Sequence, residues 1–191
     1  EMVVFGDYKY KGQFKQSLFD GYGVMEWNNG TKYEGYFKKD LAHGEGKQYY
    51  SDGSLYEGNF RENFREGHGK MTYSDGNIYE GDWENNFKHG KGVLLYNNKD
   101  KYEGDWKNNF RHGKGKIVYA NGDIYDGEWD NDKKEGYGKL SIIINGIEYL
   151  GYFKDDSYHG EGTYKTAIGD NYKGNWKLGK KEGDGIYVSS I

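Results

Sequence analysis

The sequence contains no cysteine and no proline in its 191 residues. The first absence excludes disulfides, thiolate metal sites and cysteine nucleophiles, and the second leaves a backbone that no pyrrolidine ring locks or kinks. Long apolar runs are missing as well. The longest candidate, Ile142-Ile143-Ile144, falls far short of the roughly 18 residues a membrane-spanning helix needs. Hydrophobic residues make up only 34% of the chain, and Leu, Ile, Val and Phe together number 33, about 17%, a level that signals disorder when net charge is also large. No sign of charge dominates: 27 Lys and Arg are interspersed with 31 Asp and Glu, for a net charge of -4. Only three of the 27 are Arg, and the mixture lacks the basic stripe of a dedicated nucleic-acid binder. The chain begins at Glu1 with neither an initiator Met nor a charged-then-apolar leader, so it reads as a piece of a longer protein.

What the chain does have is aromatic rings and glycine: 21 Tyr, 9 Phe, 5 Trp and 32 Gly. Each buried ring removes roughly 150–250 Å² from water, so a core built from rings needs little aliphatic help. The rings are periodic. Tyr10, Tyr33, Tyr56, Tyr79, Tyr102, Tyr125, Tyr149 and Tyr172 follow one another at 23 residues, with one step of 24 after Tyr125. Each is followed two residues later by Gly and four residues later by Phe or Trp. After six further residues comes a G-x-G pair, such as Gly90 and Gly92, then an apolar-alternating tail and a turn such as Asp75-Gly76 or Asn121-Gly122. A fixed period of this length is the mark of a repeat architecture.

Spacings of two place Tyr, Gly and Trp on one face of a strand and Glu80, Asp82, Glu103 and Asp105 on the other. Each repeat therefore reads as one β-hairpin, with Asn-Gly or Asp-Gly as a type I′ turn joining it to the next. The expected fold is all-β: an elongated single-layer antiparallel β-meander of about eight hairpins. About sixteen strands at roughly 4.8 Å each would make a twisted ribbon about 75 Å long. Residues 1–191 form one array, with repeats starting at 10, 33, 56, 79, 102, 125, 149 and 172 and a partial repeat over 1–9. The extra residue near Ile144 is expected to form a bulge and a bend at about 142–147.

The pattern Y-x-G-x-[FW]-x-x-[ND]-x-x-x-G-x-G-x-x-x-[YW]-x-x-G resembles the MORN repeat (membrane occupation and recognition nexus), over essentially residues 10–191. Departures are local: Lys99 replaces a closing turn Gly, and the last unit stops after Ser190-Ile191. Proteins similar to this one throughout their length are non-enzymatic cytoskeletal or membrane-associated scaffolds. The resemblance thus implies a cytoplasmic location at the cytoskeleton or cell cortex, or peripheral to a membrane. A content rich in Lys, Asn, Tyr and Ile would, with that resemblance, favour an apicomplexan scaffold.

His43, His89, His112 and His159 each precede a G-x-G pair, but equivalent residues lie roughly 9–10 Å apart across two strands. Zinc ligands must converge to about 2.0–2.1 Å, so these histidines read as a solvated ladder. Glu34, Glu57, Glu80, Glu103 and Asp126 recur once per repeat, whereas an acid/base pair needs a unique environment, so no catalytic residues, metal or cofactor are expected. The G-x-G pairs lack a following helix and a G-K-[ST] and read as strand glycines. The ring stripe reads as both core and groove. A single layer has nothing to cover that face, and part of each ring should stay open to a peptide segment or helix of a partner. The groove residues are Tyr79, Trp83, Tyr102, Trp106, Tyr125 and Trp129. Repeats one to five also carry an apolar residue at the mid-repeat turn (Leu18, Leu41, Phe64, Phe87, Phe110), where later ones have Lys133, Ser157 and Lys180. The final segment Ile186-Tyr187-Val188-Ser189-Ser190-Ile191 is an uncharged, β-prone edge, which predicts a homodimer through Tyr172, Trp176, Ile186 and Tyr187. The rival function is phospholipid binding, poorly served by a surface of alternating sign whose best clusters are Lys133-Lys134 and Lys180-Lys181.

Overall fold

The structure is a computed structural model and describes residues 2–4 and 6–190, with side chains from residue 6 onward. Glu1 and Phe5, in the expected partial repeat, and Ile191, in the expected dimer edge, lie outside the described residues. The chain divides into two compact units, residues 1–97 and 98–191. The first holds β1 (Met2–Val4), β2 (Tyr8–Lys15), β3 (Leu18–Trp27), β4 (Lys32–Lys38), β5 (Leu41–Tyr49), β6 (Leu55–Arg61), β7 (Phe64–Thr72), β8 (Ile78–Glu84) and β9 (Phe87–Leu95). The second holds β10 (Lys101–Lys107), β11 (Phe110–Val118), β12 (Ile124–Asp130), β13 (Lys133–Ile142), β14 (Ile147–Lys154), β15 (Ser157–Lys165), β16 (Asn171–Lys177) and β17 (Lys180–Val188). In each unit every strand pairs antiparallel with the next in sequence, so each is a single-layer meander of hairpins. No helix occurs among the described residues.

The two glycines of each G-x-G pair do different work. Gly104 of β10 faces Gly115 of β11, and the next pair is Asp105 with His112, so β11 bulges at Gly113 and Lys114. Gly113 sits at φ 58°, a left-handed conformation that glycine adopts without steric cost. The Asp105 carboxylate caps the bulge by accepting the Lys114 N–H at 2.9 Å, as Asp82 does for Lys91 at 3.1 Å. The second glycine makes room for a ring. A Cβ added at Gly138 would stand 2.7 Å from the Tyr125 Cε2 and Oη, well inside van der Waals contact.

The turns correct the sequence expectation. Paired positive φ angles, the signature of type I′, lie at the mid-repeat turn instead: Lys39 and Asp40 (49° and 68°), Asn85 and Asn86 (48° and 71°), Asn131 and Asp132 (47° and 67°). These two-residue turns match the strand twist. At the Asn-Gly and Asp-Gly sites only the glycine has positive φ. Its N–H closes a type I turn, as Gly53 does to the Tyr50 carbonyl at 3.0 Å, and the preceding Asp52 carboxylate accepts the Ser54 N–H at 2.8 Å. The Asx residue thus serves this turn through its side chain, and glycine is needed only at the left-handed position.

The mid-repeat turn also clips neighbouring repeats together. The side-chain oxygen of its second residue accepts a backbone N–H from the previous repeat: Asp40 from Phe19 (2.7 Å), Asn63 from Ala42 (2.8 Å), Asn86 from Arg65 (2.8 Å), Asp132 from Arg111 (2.9 Å) and Asp156 from Lys134 (2.9 Å). The backbone N–H of the same residue returns a bond to the same partner's carbonyl, at 2.9 Å for Asp40 and 3.1 Å for Asn86.

The inserted residue makes no bulge. Ile142 and Ile147 are cross-strand partners, and the ladder between β13 and β14 runs from there to Gly136 with Phe153 without a register shift. The extra residue lengthens the hairpin by one pair and leaves a four-residue loop, Ile143 to Gly146, closed by the Gly146 N–H to the Ile143 carbonyl at 3.2 Å.

Lys99 occupies the left-handed turn position that glycine holds elsewhere, at φ 75°. A side chain there costs roughly 1–2 kcal/mol, against which glycine gives back about 0.4–1 kcal/mol through unfolded-chain entropy. Lys99→Gly is expected to raise unfolding stability by about 0.5–1 kcal/mol in a denaturant titration. A loss would show that the lysine side chain contributes more than its backbone strain removes.

Candidate functional site

The Tyr stripe forms one continuous motif within each unit. Each Tyr ring lies over the glycines of its own hairpin, and its hydroxyl donates to the carbonyl three residues on. Tyr102 bonds the Asp105 carbonyl at 3.0 Å and Tyr125 the Glu128 carbonyl at 2.8 Å. A Trp or Phe then stands edge-on to it from each side. Tyr33 lies between Phe37 and Phe60, both at 5.0 Å between centroids. Tyr56 lies between Phe60 (5.1 Å) and Trp83 (5.3 Å), and Tyr125 between Trp129 (5.1 Å) and Phe153 (5.0 Å). Interplanar angles of 81–88° put positive ring edges on negative ring faces, worth about 0.5–1.5 kcal/mol per pair beyond burial. Three Trp indoles also donate across to the preceding repeat: Trp83 to Gly69 (3.0 Å), Trp129 to Gly115 (2.9 Å) and Trp176 to Gly162 (3.3 Å).

The six residues expected to line an open groove, Tyr79, Trp83, Tyr102, Trp106, Tyr125 and Trp129, are only 0–4% exposed. The expectation that each ring stays partly open is therefore corrected: the rings cover one another, and one further residue per repeat lies over them. Phe19 stacks on Tyr10 at 3.9 Å and Tyr158 on Tyr149 at 3.9 Å. In three other repeats the cover is cationic. The Arg65 guanidinium lies 4.4 Å from the Trp83 ring centre, that of Arg111 4.3 Å from Trp129, and the Lys134 ammonium 5.5 Å from Tyr125. Arg65 and Arg111 are held there by the turn residues Asn86 and Asp132, which accept both their backbone and guanidinium N–H groups. What this face presents to solvent is a row of covering side chains above a ring floor. The sequence marks them poorly, since the position changes from Phe through Ala, Arg and Lys to Tyr.

The expected dimer residues divide. Tyr172 and Trp176 are buried in β16, whereas Ile186 and Tyr187 are 69% and 55% exposed on β17, the last strand of its unit, which has β16 as its partner. Tyr187 donates to the Asp170 carboxylate at 2.7 Å.

Three of the recurrent carboxylates sit in surface ion pairs: Glu34 with Lys32 (3.0 Å), Glu57 with Lys47 (2.7 Å) and Glu103 with Lys101 (3.0 Å). The Lys32 ammonium, with the Tyr22 hydroxyl, holds Glu34 below the usual carboxylate range. Among the described residues no three His, Asp or Glu side chains converge as a metal site. His89 and His112 approach Glu84 (3.3 Å) and Asp130 (3.1 Å).

Hairpin repeats of about 23 residues, a tyrosine over glycine in each and edge-on rings between them define a β-hairpin repeat protein. The MORN repeat model matches residues 10–32, 33–55, 56–78, 79–101, 102–124, 125–142, 149–171 and 172–190. The chain belongs to the MORN-repeat family. No curated protein matches the sequence. Among solved structures, the chain is similar to the SAS-4 (dCPAP) TCP domain of Drosophila melanogaster, solved in complex with a proline-rich motif of Ana2 (dSTIL). That likeness covers 88% of this chain and 90% of that one, at 14% identity and a TM-score of 0.50. The TCP10 domain of Danio rerio CPAP is similar over 92% of this chain and 83% of its own, at 8% identity and a TM-score of 0.51. At these identities the likeness is one of fold.

Two outcomes follow from the ring stack. Trp106→Ala, at a ring 3% exposed, is expected to cost about 3–5 kcal/mol in denaturant unfolding. A change near zero would show that the ring is not packed. The second outcome concerns pH. Burial raises the pKa of Tyr10, Tyr33, Tyr56, Tyr125 and Tyr149, so above about pH 10 the unfolded chain releases protons that the folded chain keeps. Their stabilisation is complete below that pH and is lost as pH rises toward the folded values. Lys134, whose pKa burial lowers, acts in the opposite sense, but it is one group against five. The thermal midpoint should be level from about pH 7 to 9 and fall steeply above about pH 10, together with the rise of phenolate absorbance. Phenolate absorbance rising fully before any loss of structure would contradict the burial.

Proposed function

We propose that this chain is a non-enzymatic scaffold module that binds a peptide segment or helix of a partner protein along the Tyr–Trp face. Through its C-terminal repeat it would pair with a second copy of itself. The observation that carries the reading is, in each unit, a single-layer sheet whose ring face is finished by the chain's own side chains, with no second layer of described residues packed on it. In the first unit Tyr79 and Trp83 belong to the floor, with Arg65 above it, and in the second Tyr102, Trp106, Tyr125 and Trp129 do, with Arg111 and Lys134 above them to meet the partner. A floor already packed loses little entropy on binding, the general advantage of preorganisation. The SAS-4 domain, solved with a proline-rich motif of Ana2, supports the binding of a peptide by a fold of this kind.

The dimer reading rests on β17, exposed along its whole length and uncharged from Ile186 onward. In the proposed pairing a second copy adds along β17, with Ile186 and Tyr187 as contacts on its two faces and Tyr172 and Trp176 buried in the neighbouring β16. A cytoplasmic place at the cytoskeleton or cell cortex fits a module of this kind, and no helix among the described residues is long and apolar enough to cross a membrane.

Light scattering during gel filtration tests the pairing. A mass twice the 22.1 kDa of the chain, returning to the monomer value when residues 172–191 are removed, is expected. A concentration-independent monomer would overturn it. Vesicle cosedimentation separates peptide from lipid: little binding to neutral vesicles and weak, salt-sensitive binding to anionic ones is expected. Strong, salt-resistant binding selective for one phosphoinositide would replace the scaffold reading with a membrane one.

A further inference from the structure

Arg65 and Arg111 hold equivalent positions on the ring faces of their units, as the second residues of β7 and β11, yet the chain treats their charges differently. Each guanidinium lies over an indole, 4.4 Å from the Trp83 ring centre and 4.3 Å from that of Trp129. Each gives its Nε–H and an Nη2–H to the second residue of the next mid-repeat turn. Arg65 bonds the Asn86 side-chain oxygen at 3.3 Å and the Asn86 carbonyl at 2.9 Å, and Arg111 bonds the Asp132 carboxylate at 2.9 Å and the Asp132 carbonyl at 2.8 Å. The geometry is shared and the charge is not. Asp132 neutralises Arg111 in an ion pair, whereas Asn86 is a neutral amide and no carboxylate among the described residues pairs with Arg65.

The open charge has a direction. A guanidinium carries five N–H donors in a planar fork, and Asn86 takes the side formed by Nε and Nη2. The end formed by Nη1 and Nη2 is left over. Nη1 makes no hydrogen bond among the described residues and is open to solvent. Two phenols stand near it. Tyr50 and Tyr73 are half-buried, and neither hydroxyl has a hydrogen-bond partner among the described residues. Burial raises both of their pKa values and the Arg65 guanidinium lowers them, so its charge reaches both rings. The carboxylates around this site keep their charges, but they are directed elsewhere. Glu66, on the other face of the strand by alternation, accepts the Asn85 N–H at 3.1 Å. Asp52 and Asp75 accept the N–H groups of Ser54 (2.8 Å) and Asn77 (2.9 Å) within their own turns. What selects a ligand here is contact at one guanidinium, not the net charge of the surface.

We propose that Arg65 anchors the partner segment on the ring face by binding one of its Asp or Glu carboxylates. This rests on the peptide-binding reading above and gives that reading a chemistry. The free end of the guanidinium presents two parallel N–H groups, the geometry that holds a carboxylate through two charge-assisted bonds. A guanidinium already fixed over Trp83 and against Asn86 loses little side-chain freedom on binding, and arginine gives up its hydration more readily than lysine. Arg111 is the internal comparison, since a second carboxylate brought to it would meet the charge of Asp132.

The chain has only three arginines, Arg61, Arg65 and Arg111, so their Nε–H signals can be followed separately by NMR on the isotope-labelled full chain. The probe is the blocked peptide acetyl-Gly-Leu-Glu-Leu-Gly-amide. The Arg65 signal is expected to move saturably, with an affinity at least fivefold greater than for the same peptide carrying Gln, while the Arg111 signal stays in place. Asn86→Asp gives Arg65 the partner that Arg111 has and should weaken binding of the Glu peptide at least fivefold. Asp132→Asn should make the Arg111 signal respond, so one substitution decides the matter if the other unfolds the chain. The inference is overturned if Arg111 responds as strongly as Arg65 in the unsubstituted chain, or if neither substitution has its stated effect. It is also overturned if inorganic phosphate displaces the peptide at lower concentration than the peptide itself requires, which would make this a phosphate site. A Gln peptide that moves the Arg65 signal and the Trp83 indole signal as far as the Glu peptide does would overturn this inference and leave the peptide-binding reading standing. No movement of either signal with either peptide would overturn both.

Discussion

One constraint organises the molecule: a tyrosine ring must lie on bare backbone. Tyr102, Tyr125 and their equivalents reach across their own hairpin, and only glycine opposite leaves room for the ring. The phenol then reaches the carbonyl three residues along its own strand, which satisfies the one polar atom that burial would otherwise strand. With the ring fixed there, its two sides become sockets for the edge-on Trp or Phe of its own strand and of a neighbouring repeat, and the core propagates from hairpin to hairpin. A sheet without a second layer thereby buries aromatic surface using its own backbone as the opposing wall.

The same geometry separates the two faces. Toward the rings, the chain closes its own surface, and the closing residue varies from Phe19 through Arg65 and Arg111 to Tyr158 without disturbing the stack beneath. Toward the other face, side chains are free to differ, and the first unit places there the exposed apolar residues Leu18, Leu41, Phe64 and Phe87. Side chains are thus free to vary on both surfaces while the Tyr–Gly–Trp frame stays constant, the usual advantage of a repeat scaffold.

Much of this was legible from spacing alone. Tyr, Gly and Trp at intervals of two fix strands and the shared face, and the 23-residue period fixes the hairpins. Turn geometry was misassigned, because Asp75-Gly76 and Asn121-Gly122 carry the strongest hairpin signal yet need a left-handed residue only at glycine. The type I′ positions are filled by pairs as unpromising as Lys39-Asp40. A signal for them was present: Asp40, Asn63, Asn86, Asn109, Asp132 and Asp156 recur at the repeat period, and the side chains of Asp40, Asn63, Asn86, Asp132 and Asp156 clip the preceding repeat. The closure of the ring face was not legible, since it depends on where a variable side chain folds back. The inserted residue near Ile144 read as a bulge because a pattern shows an extra position but not whether a ladder or a loop absorbs it.

The central claim is that ring and glycine are one unit, and a double-mutant cycle on Gly138 and Tyr125 tests it most directly. A Cβ at Gly138 meets the Tyr125 ring and nothing else among its three nearest atoms. Gly138→Ala should therefore be strongly destabilising when Tyr125 is present and much milder beside Tyr125→Ala, giving a coupling above about 1 kcal/mol in denaturant unfolding. Additive losses, with Gly138→Ala equally costly in both backgrounds, would show that the glycine serves the backbone alone and would contradict the account.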